Sequence, residues 1–118
     1  IDHSEVLELD WRAGYRKRNI AGEGEGVSVE FSIDVAQQGA GAPLHYHEED
    51  ELIVVLEGKL EVLLDDEVIE VGPGHTIAVP SGTPHGFKAC ELTTLFVFFP
   101  ASRPFDRTHY VDGSRPNI

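Results

Sequence analysis

Apolar and polar residues alternate singly along much of the chain, and helical spacing is nearly absent. Val27, Val29, Phe31, Ile33 and Val35 interleave with Ser28, Glu30, Ser32 and Asp34, the period-two signature of a half-buried strand. Residues 52–56 and 60–64 flank Glu57-Gly58-Lys59 and predict a hairpin, and Asp65-Asp66 supplies the next tight turn before residues 68–71. Gly72-Pro73-Gly74 and Pro80-Ser81-Gly82-Thr83-Pro84 bracket a short strand at Thr76–Val79, and residues 85–89 and 93–99 complete the set. About eight short strands separated by turn chemistry predict an all-β sandwich or barrel closed by antiparallel pairing, not a parallel α/β sheet. The ends differ. Residues 1–26 read as a polar N-terminal extension able to supply an edge strand, residues 27–100 as the barrel, and residues 101–118 as an irregular tail docked through Phe105 and Tyr110.

Length and charge narrow the function classes. A chain of 118 residues with 41% apolar content is long enough for one real hydrophobic core and too short for two. Its formal net charge of −12 argues against nucleic acid and against an anionic membrane surface, since both would repel it. The single cysteine, Cys90, excludes an intramolecular disulfide, and no apolar stretch reaches transmembrane length. A reducing, cytoplasmic setting is therefore the expectation, with a small molecule as the partner. Cys90 receives no role, because no base is positioned near it in sequence.

One run carries candidate chemistry: Leu44-His45-Tyr46-His47-Glu48-Glu49-Asp50-Glu51. In an extended strand residues two apart share a face, so His45 and His47 point one way and Tyr46 the other. Glu51 can turn its carboxylate back toward them if residues 48–50 bend the chain, which leaves Glu48 and Glu49 solvated. Imidazoles and a carboxylate together suit divalent Fe, Mn, Co, Ni, Cu or Zn. On spacing alone, two surface histidines on a strand would look the same.

The wider pattern resembles the paired motifs of the cupin superfamily. The first, G-x5-H-x-H-x3-E-x6-G, is met by Gly39, His45, His47, Glu51 and Gly58; the second, G-x5-P-x-G-x2-H-x3-N, by Gly74, Pro80, Gly82 and His85, with Ala89 in place of the final Asn. The resemblance implies a double-stranded β-helix, the jelly-roll cupin barrel. It also implies a divalent transition metal (Fe, Mn, Ni, Co or Zn) held inside by His45, His47, Glu51 and His85. Four such ligands on a six-coordinate ion leave two positions for water or a chelating substrate, whereas four ligands on tetrahedral zinc would close the site. By resemblance to quercetinase-type dioxygenases, Glu51 is also the candidate catalytic residue, accepting a proton from an enolic hydroxyl. His3, His75 and His109 fall outside the motifs and read as solvated.

Strand parity predicts the pocket wall. Ile53 and Val55 share a face with Glu51, Phe87 and Ala89 share one with His85, and Leu60, Val62 and Leu64 or their alternates line the next strand, with Phe96 and Phe98, or Phe99, closing the far side. No Lys or Arg falls on those positions, and a buried anion needs cationic donors. The expected pocket is thus apolar and the substrate neutral or weakly acidic, unless Arg103 or Arg107 reaches over the mouth. Trp11, Tyr15 and Arg16 are further candidates to lie over the opening. The functional expectation is a metal-dependent enzyme of dioxygenase type acting on a small organic molecule with chelating oxygens. The alternatives are an oxygen-free isomerase, cyclase or lyase, and a non-catalytic sugar- or metabolite-binding protein. Because Leu52, Val54 and Leu56 leave a second apolar face on their strand, a homodimer is expected as well.

Overall fold

The structure is a computed structural model that describes residues 1–100 and 108–114. Its strands are β1 (Glu8–Arg12), β2 (Tyr15–Ala21), β3 (Val29–Ala36), β4 (Gly41–Tyr46), β5 (Glu51–Glu57), β6 (Leu60–Leu64), β7 (Glu67–Val71), β8 (Thr76–Val79), β9 (His85–Ala89), β10 (Thr93–Pro100) and β11 (His109–Tyr110), with short 3-10 turns at His3–Glu5 and Glu23–Glu25. They form a six-stranded sheet in the order β1-β2-β3-β10-β5-β8 and a five-stranded sheet in the order β11-β4-β9-β6-β7. Every pairing is antiparallel. The architecture is the all-β jelly roll that the strand pattern and the motif pair foretold.

The predicted hairpin across Glu57-Gly58-Lys59 does not form. β5 pairs with β10 and β8, whereas β6 pairs with β7 and β9, so the segment carries the chain from one sheet to the other. Gly58 makes this crossing at φ +89, and a Cβ there would lie 2.4 Å from the Leu92 carbonyl oxygen and from Thr93 Oγ1. Thr93 occupies the space instead, accepting from the Lys59 amide at 3.0 Å. The Asp65-Asp66 turn is as predicted: Leu64 lies opposite Glu67, and Asp65 takes φ 52.

Strand β3 has its pleat the other way round from what its composition suggests. A half-buried strand of this pattern ordinarily turns its apolar residues to the core. Here Ser32, Asp34 and Ala36 are buried, while Ile33 and Val35 are half-buried and Val29 is exposed. Phe31 packs outside with Phe98 in a stacked pair at 4.7 Å and edge-on to Phe96 at 5.2 Å. The polar side is tolerated inside because residues of β2 meet it, as described below.

The N-terminal residues contribute more than an edge. β1 and β2 form a hairpin that extends the six-stranded sheet, β2 pairing with β3 from Tyr15↔Ala36 to Ala21↔Phe31. On its outer side Arg16 bonds Glu8 and Asp10, and Arg18 reaches Glu8. Between the sheets Ile53, Val55, Leu60, Val62, Ile77, Val79, Leu95 and Val97 pack with Trp11 and Tyr15 into one core. Each fully buried aliphatic there contributes about 1.5–3 kcal/mol. No helix among the described residues is long and apolar enough to cross a membrane.

Candidate metal centre

The four side chains singled out from the sequence come together. His45 near the end of β4, His47 just beyond it, Glu51 at the start of β5 and His85 at the start of β9 place one ligand atom each within 4.8 Å of all the others. All four residues are buried, while Tyr46 between the two histidines is exposed. Residues 48–50 make the bend that returns Glu51. That bend is pinned to the loop before β9: the Gly82 amide donates to the His47 carbonyl at 2.7 Å, and the Ser81 amide to Asp50 Oδ1 at 2.8 Å. Glu48 is exposed as expected, but Glu49 is half-buried rather than solvated.

Each imidazole is oriented by its own local backbone. The Nδ1 of His45, His47 and His85 lies 2.8 Å from the carbonyl oxygen of Pro43, Glu49 and Thr83 respectively. A carbonyl only accepts, so each Nδ1 carries the proton and each Nε2 is left with its lone pair. The Nε2 atoms of His47 and His85 sit 3.1 and 2.9 Å from Glu51 Oε1. Lone pairs facing a carboxylate in a buried site demand a positive charge among them, either shared protons or a cation. This donor set fits a single first-row ion with bonds of about 2.0–2.2 Å, and the carbonyl-fixed tautomers already present the ligating nitrogens.

Electrostatics agree with that assignment. Burial, and next the neighbouring His85, hold the His45 imidazole down to about 4, so it is neutral and ligation-ready at pH 7. Burial opposes ionisation of Glu51, but in the metal-free chain the hydrogen bonds from His47 and His85, made through the protons shared at Nε2, outweigh it and keep its carboxyl well below the usual range.

A cavity of about 410 Å³ opens onto His45 and Glu51. Of the wall residues expected from parity, Phe87 and Phe99 line it, whereas Ile53, Val55, Leu60, Val62 and Ala89 belong to the packed core. Phe96 and Phe98 point outward. Trp11 and Tyr15 line the cavity, as does Tyr110, whose ring lies 5.2 Å from that of His45. Tyr110 belongs to β11, which pairs with β4, so this part of the tail docks as foreseen. Arg16 faces outward instead. Phe105, Arg103 and Arg107 lie outside the described residues. Among the other histidines His75 is exposed, and His109 stacks on Tyr46 at 4.9 Å.

The wall is less apolar than expected, because Lys17, Asn19, Glu30, Ser32 and Asp34 also line the cavity. Tyr15 donates its hydroxyl to Asp34 Oδ2, and Lys17 Nζ stands 3.3 Å from the same oxygen and 3.2 Å from Ser32 Oγ. Burial, then the Asp34 charge, raises the Tyr15 phenol well above its ordinary value. The sequence signal was present in the polar alternates of β3, but nothing in the sequence said that they faced inward.

Comparison with known proteins places the chain. Residues 32–104 match the family described as the Cupin domain. The quercetin 2,3-dioxygenase of Bacillus subtilis (strain 168) is 35% identical over 89 residues, 73% of this chain but 26% of that protein. The chain thus spans about a quarter of that curated relative. Among solved structures, the polyketide cyclase RemF of Streptomyces resistomycificus superposes with a TM-score of 0.83 at 27% identity, covering 94% of this chain and 83% of that one. KdgF from Halomonas sp. gives 0.78 at 26% identity, covering 87% and 92%. Bacillus subtilis oxalate decarboxylase shares the fold, with a TM-score of 0.79 at 24% identity and coverage of 94% of this chain and 31% of that one. With a family match over most of its length, both sheets in place and the motif residues gathered at one point, the chain belongs to the cupins.

Proposed function

We propose that this cupin is a metal-dependent enzyme that binds a divalent transition ion through His45, His47, Glu51 and His85 and oxidises a small aromatic molecule bearing adjacent, chelating oxygens. The observation that carries the proposal is a four-donor cluster opening onto a cavity walled by aromatic rings, Trp11, Tyr15, Phe87, Phe99 and Tyr110. When bound, the ion supplies Lewis acidity toward the substrate's oxygens and a place for dioxygen. The chain's own residues do the rest. The aromatic walls hold a planar scaffold and exclude water. Both imidazole contacts of Glu51 fall on Oε1, so Oε2 remains to take the proton of an enolic hydroxyl as the substrate binds. The likeness to the Bacillus subtilis quercetin dioxygenase supports this reading.

A second reading keeps the ion and the proton transfer to Glu51 but consumes no oxygen; the likeness to a polyketide cyclase over nearly the whole of both chains favours it. An oxygen electrode separates the two. Protein loaded with Fe, Mn, Co or Ni should consume oxygen with a flavonol or a 1,3-diketone, and Glu51→Gln should abolish uptake. Turnover that proceeds unchanged under anaerobic conditions refutes the oxygenase and selects the cyclase.

We propose further that a second copy covers the outer face of the six-stranded sheet. Leu52, 45% exposed, lies opposite Phe98 in the ladder, Val54 opposite Phe96, and Phe31 and Ile33 continue the face on β3. Sedimentation equilibrium should return a dimer that Phe98→Asp splits. A wild-type monomer at micromolar concentration refutes it.

A further inference from the structure

Metal binding does not account for the polar wall formed by β2 and β3. Lys17, Asp34 and Ser32 form a buried ion-pair network there, and Tyr15 adds a hydroxyl to it. Burying such a pair is expensive in desolvation, and apolar residues of similar volume often stabilise a fold equally well. The arrangement also goes beyond what neutralising Asp34 requires: Tyr15 and Lys17 both converge on Oδ2, while Oδ1 has no hydrogen-bond partner among the described residues.

The members of the network differ in access. Asp34, Tyr15 and Lys17 all line the cavity, but Asp34 and Tyr15 keep only 0% and 1% exposure, whereas the Lys17 side chain retains 11%. Its ammonium has three N–H groups. Asp34 Oδ2 and Ser32 Oγ supply two acceptors, and the ammonium stands 5.3 Å from the centre of the Trp11 ring. Among the described residues Lys17 is therefore held still at a ring-lined wall with one N–H beyond those two acceptors. Asn19, two residues further along β2, also lines the cavity.

We propose that Lys17 is a substrate-orienting residue. It gives its remaining N–H to a phenolic or carbonyl oxygen at the end of the ligand remote from the chelating oxygens, and Asp34 and Ser32 serve as its positioning residues. The ligand class is a planar aromatic molecule with oxygens at both ends, recognised at one pole by the metal centre and at the other by Lys17. The inference rests on the reading of the cavity as a site for a chelating aromatic molecule, and it adds the group that sets which way round such a molecule lies.

Two flavonols test it. Quercetin and galangin share the chelating hydroxy-ketone head, but galangin lacks the two hydroxyls of the distal ring. Trp11 is the chain's single tryptophan and lines the cavity, so quenching of its fluorescence reports occupancy without turnover. The whole chain is titrated with each probe, both metal-stripped and loaded with Co(II). Wild type should prefer quercetin about tenfold, the worth of one hydrogen bond to a charged group. Lys17→Met alone strands the Asp34 charge, so the double variant Lys17→Met/Asp34→Asn, neutral at both positions, is the decisive one. There the preference should fall to about twofold or less with galangin affinity unchanged, and Lys17→Arg should restore part of it.

A preference that survives in the folded double variant overturns the proposal. Equal weakening of both probes does so too, since it would make the pair structural. Failure of wild type to bind quercetin also overturns it. Co(II) uptake, read by its visible absorption, reports separately on the metal reading. A chain that takes up no Co(II) but still discriminates between the flavonols loses the metal reading and keeps Lys17.

Discussion

Gly41→Ala is the substitution whose consequences the structure fixes most tightly. A Cβ built on Gly41 would stand 1.9 Å from the carbonyl oxygen of Phe87, 2.7 Å from its carbonyl carbon and 3.0 Å from the Lys88 Cα. Ordinary contact with those atoms is about 3.5 Å, so β4 and β9 must part by about 1.5 Å. No flexible side chain can give way, because every atom met is backbone. β9 is held between β4 and β6, whereas among the described residues β4 has only the two-residue β11 on its other side, so β4 is the strand that moves. It takes His45 with it, and the His45↔His85 pairing is where the ladder brings two of the candidate ligands together. Metal geometry tolerates about 0.2 Å. The expected outcome is a loss of about 3 kcal/mol in the metal-free protein, the upper end for overpacking, and a fall in Co(II) affinity of about 100-fold. Urea unfolding without metal and competition with a chelator measure the two separately. Gly72→Ala is the control, since nothing lies within 4 Å of its Cβ; it should change neither. A Gly41→Ala protein within about 0.5 kcal/mol and threefold of wild type would refute the reasoning.

Three further outcomes follow from the site. His45 binds its proton at about 4 in the folded chain against an ordinary 6.5, so the unfolded chain takes up the proton first as pH falls. The His45 contribution to metal-free stability should therefore be flat above about pH 6.5 and drop by about 3 kcal/mol on the way down through pH 4. Urea midpoints in chelator-containing buffer should trace that slope, and His45→Gln should remove most of it. Tyr15→Phe deletes a hydroxyl bond to the buried Asp34 carboxylate and should cost about 2 kcal/mol in urea unfolding; a change under about 0.5 kcal/mol would mean that Lys17 alone satisfies Asp34. Adding Co(II) or Mn(II) at about 100 times its dissociation constant should stabilise wild type by about 2.7 kcal/mol. His85→Ala should lose that increment, and a thermal midpoint raised equally in both would place the ion elsewhere.

The candidate ligands were legible in the chain because two local rules sufficed. The pleat puts residues two apart on one face, which joined His45 to His47, and an acidic bend of three residues brings Glu51 back to them. His85 required the second motif, since no local rule links positions 47 and 85. The strand list was readable from alternation and turns for residues 27–100, but β1 and β2 were not. Their residues are mostly polar, and apart from Trp11, Tyr15 and Ile20 they hold their place by ladder pairing, β2 with β3 and β1 with β2.

What the amino-acid order determined by itself is therefore local: the period-two strands, the Asp65-Asp66 turn, and three of the four donors, His45, His47 and Glu51, at fixed spacing. Tertiary structure alone decided which sheet each strand joined and which side of each strand faced in. Glu57-Gly58-Lys59 looks like a hairpin turn and is a crossing between sheets, because Thr93 fills the space beside Gly58. Alternation shows that β3 has two different faces, but only the partners across the fold say which one is buried. Asp34 lies inside because Tyr15 and Lys17, nineteen and seventeen residues away, supply the proton and the charge that make its burial tolerable.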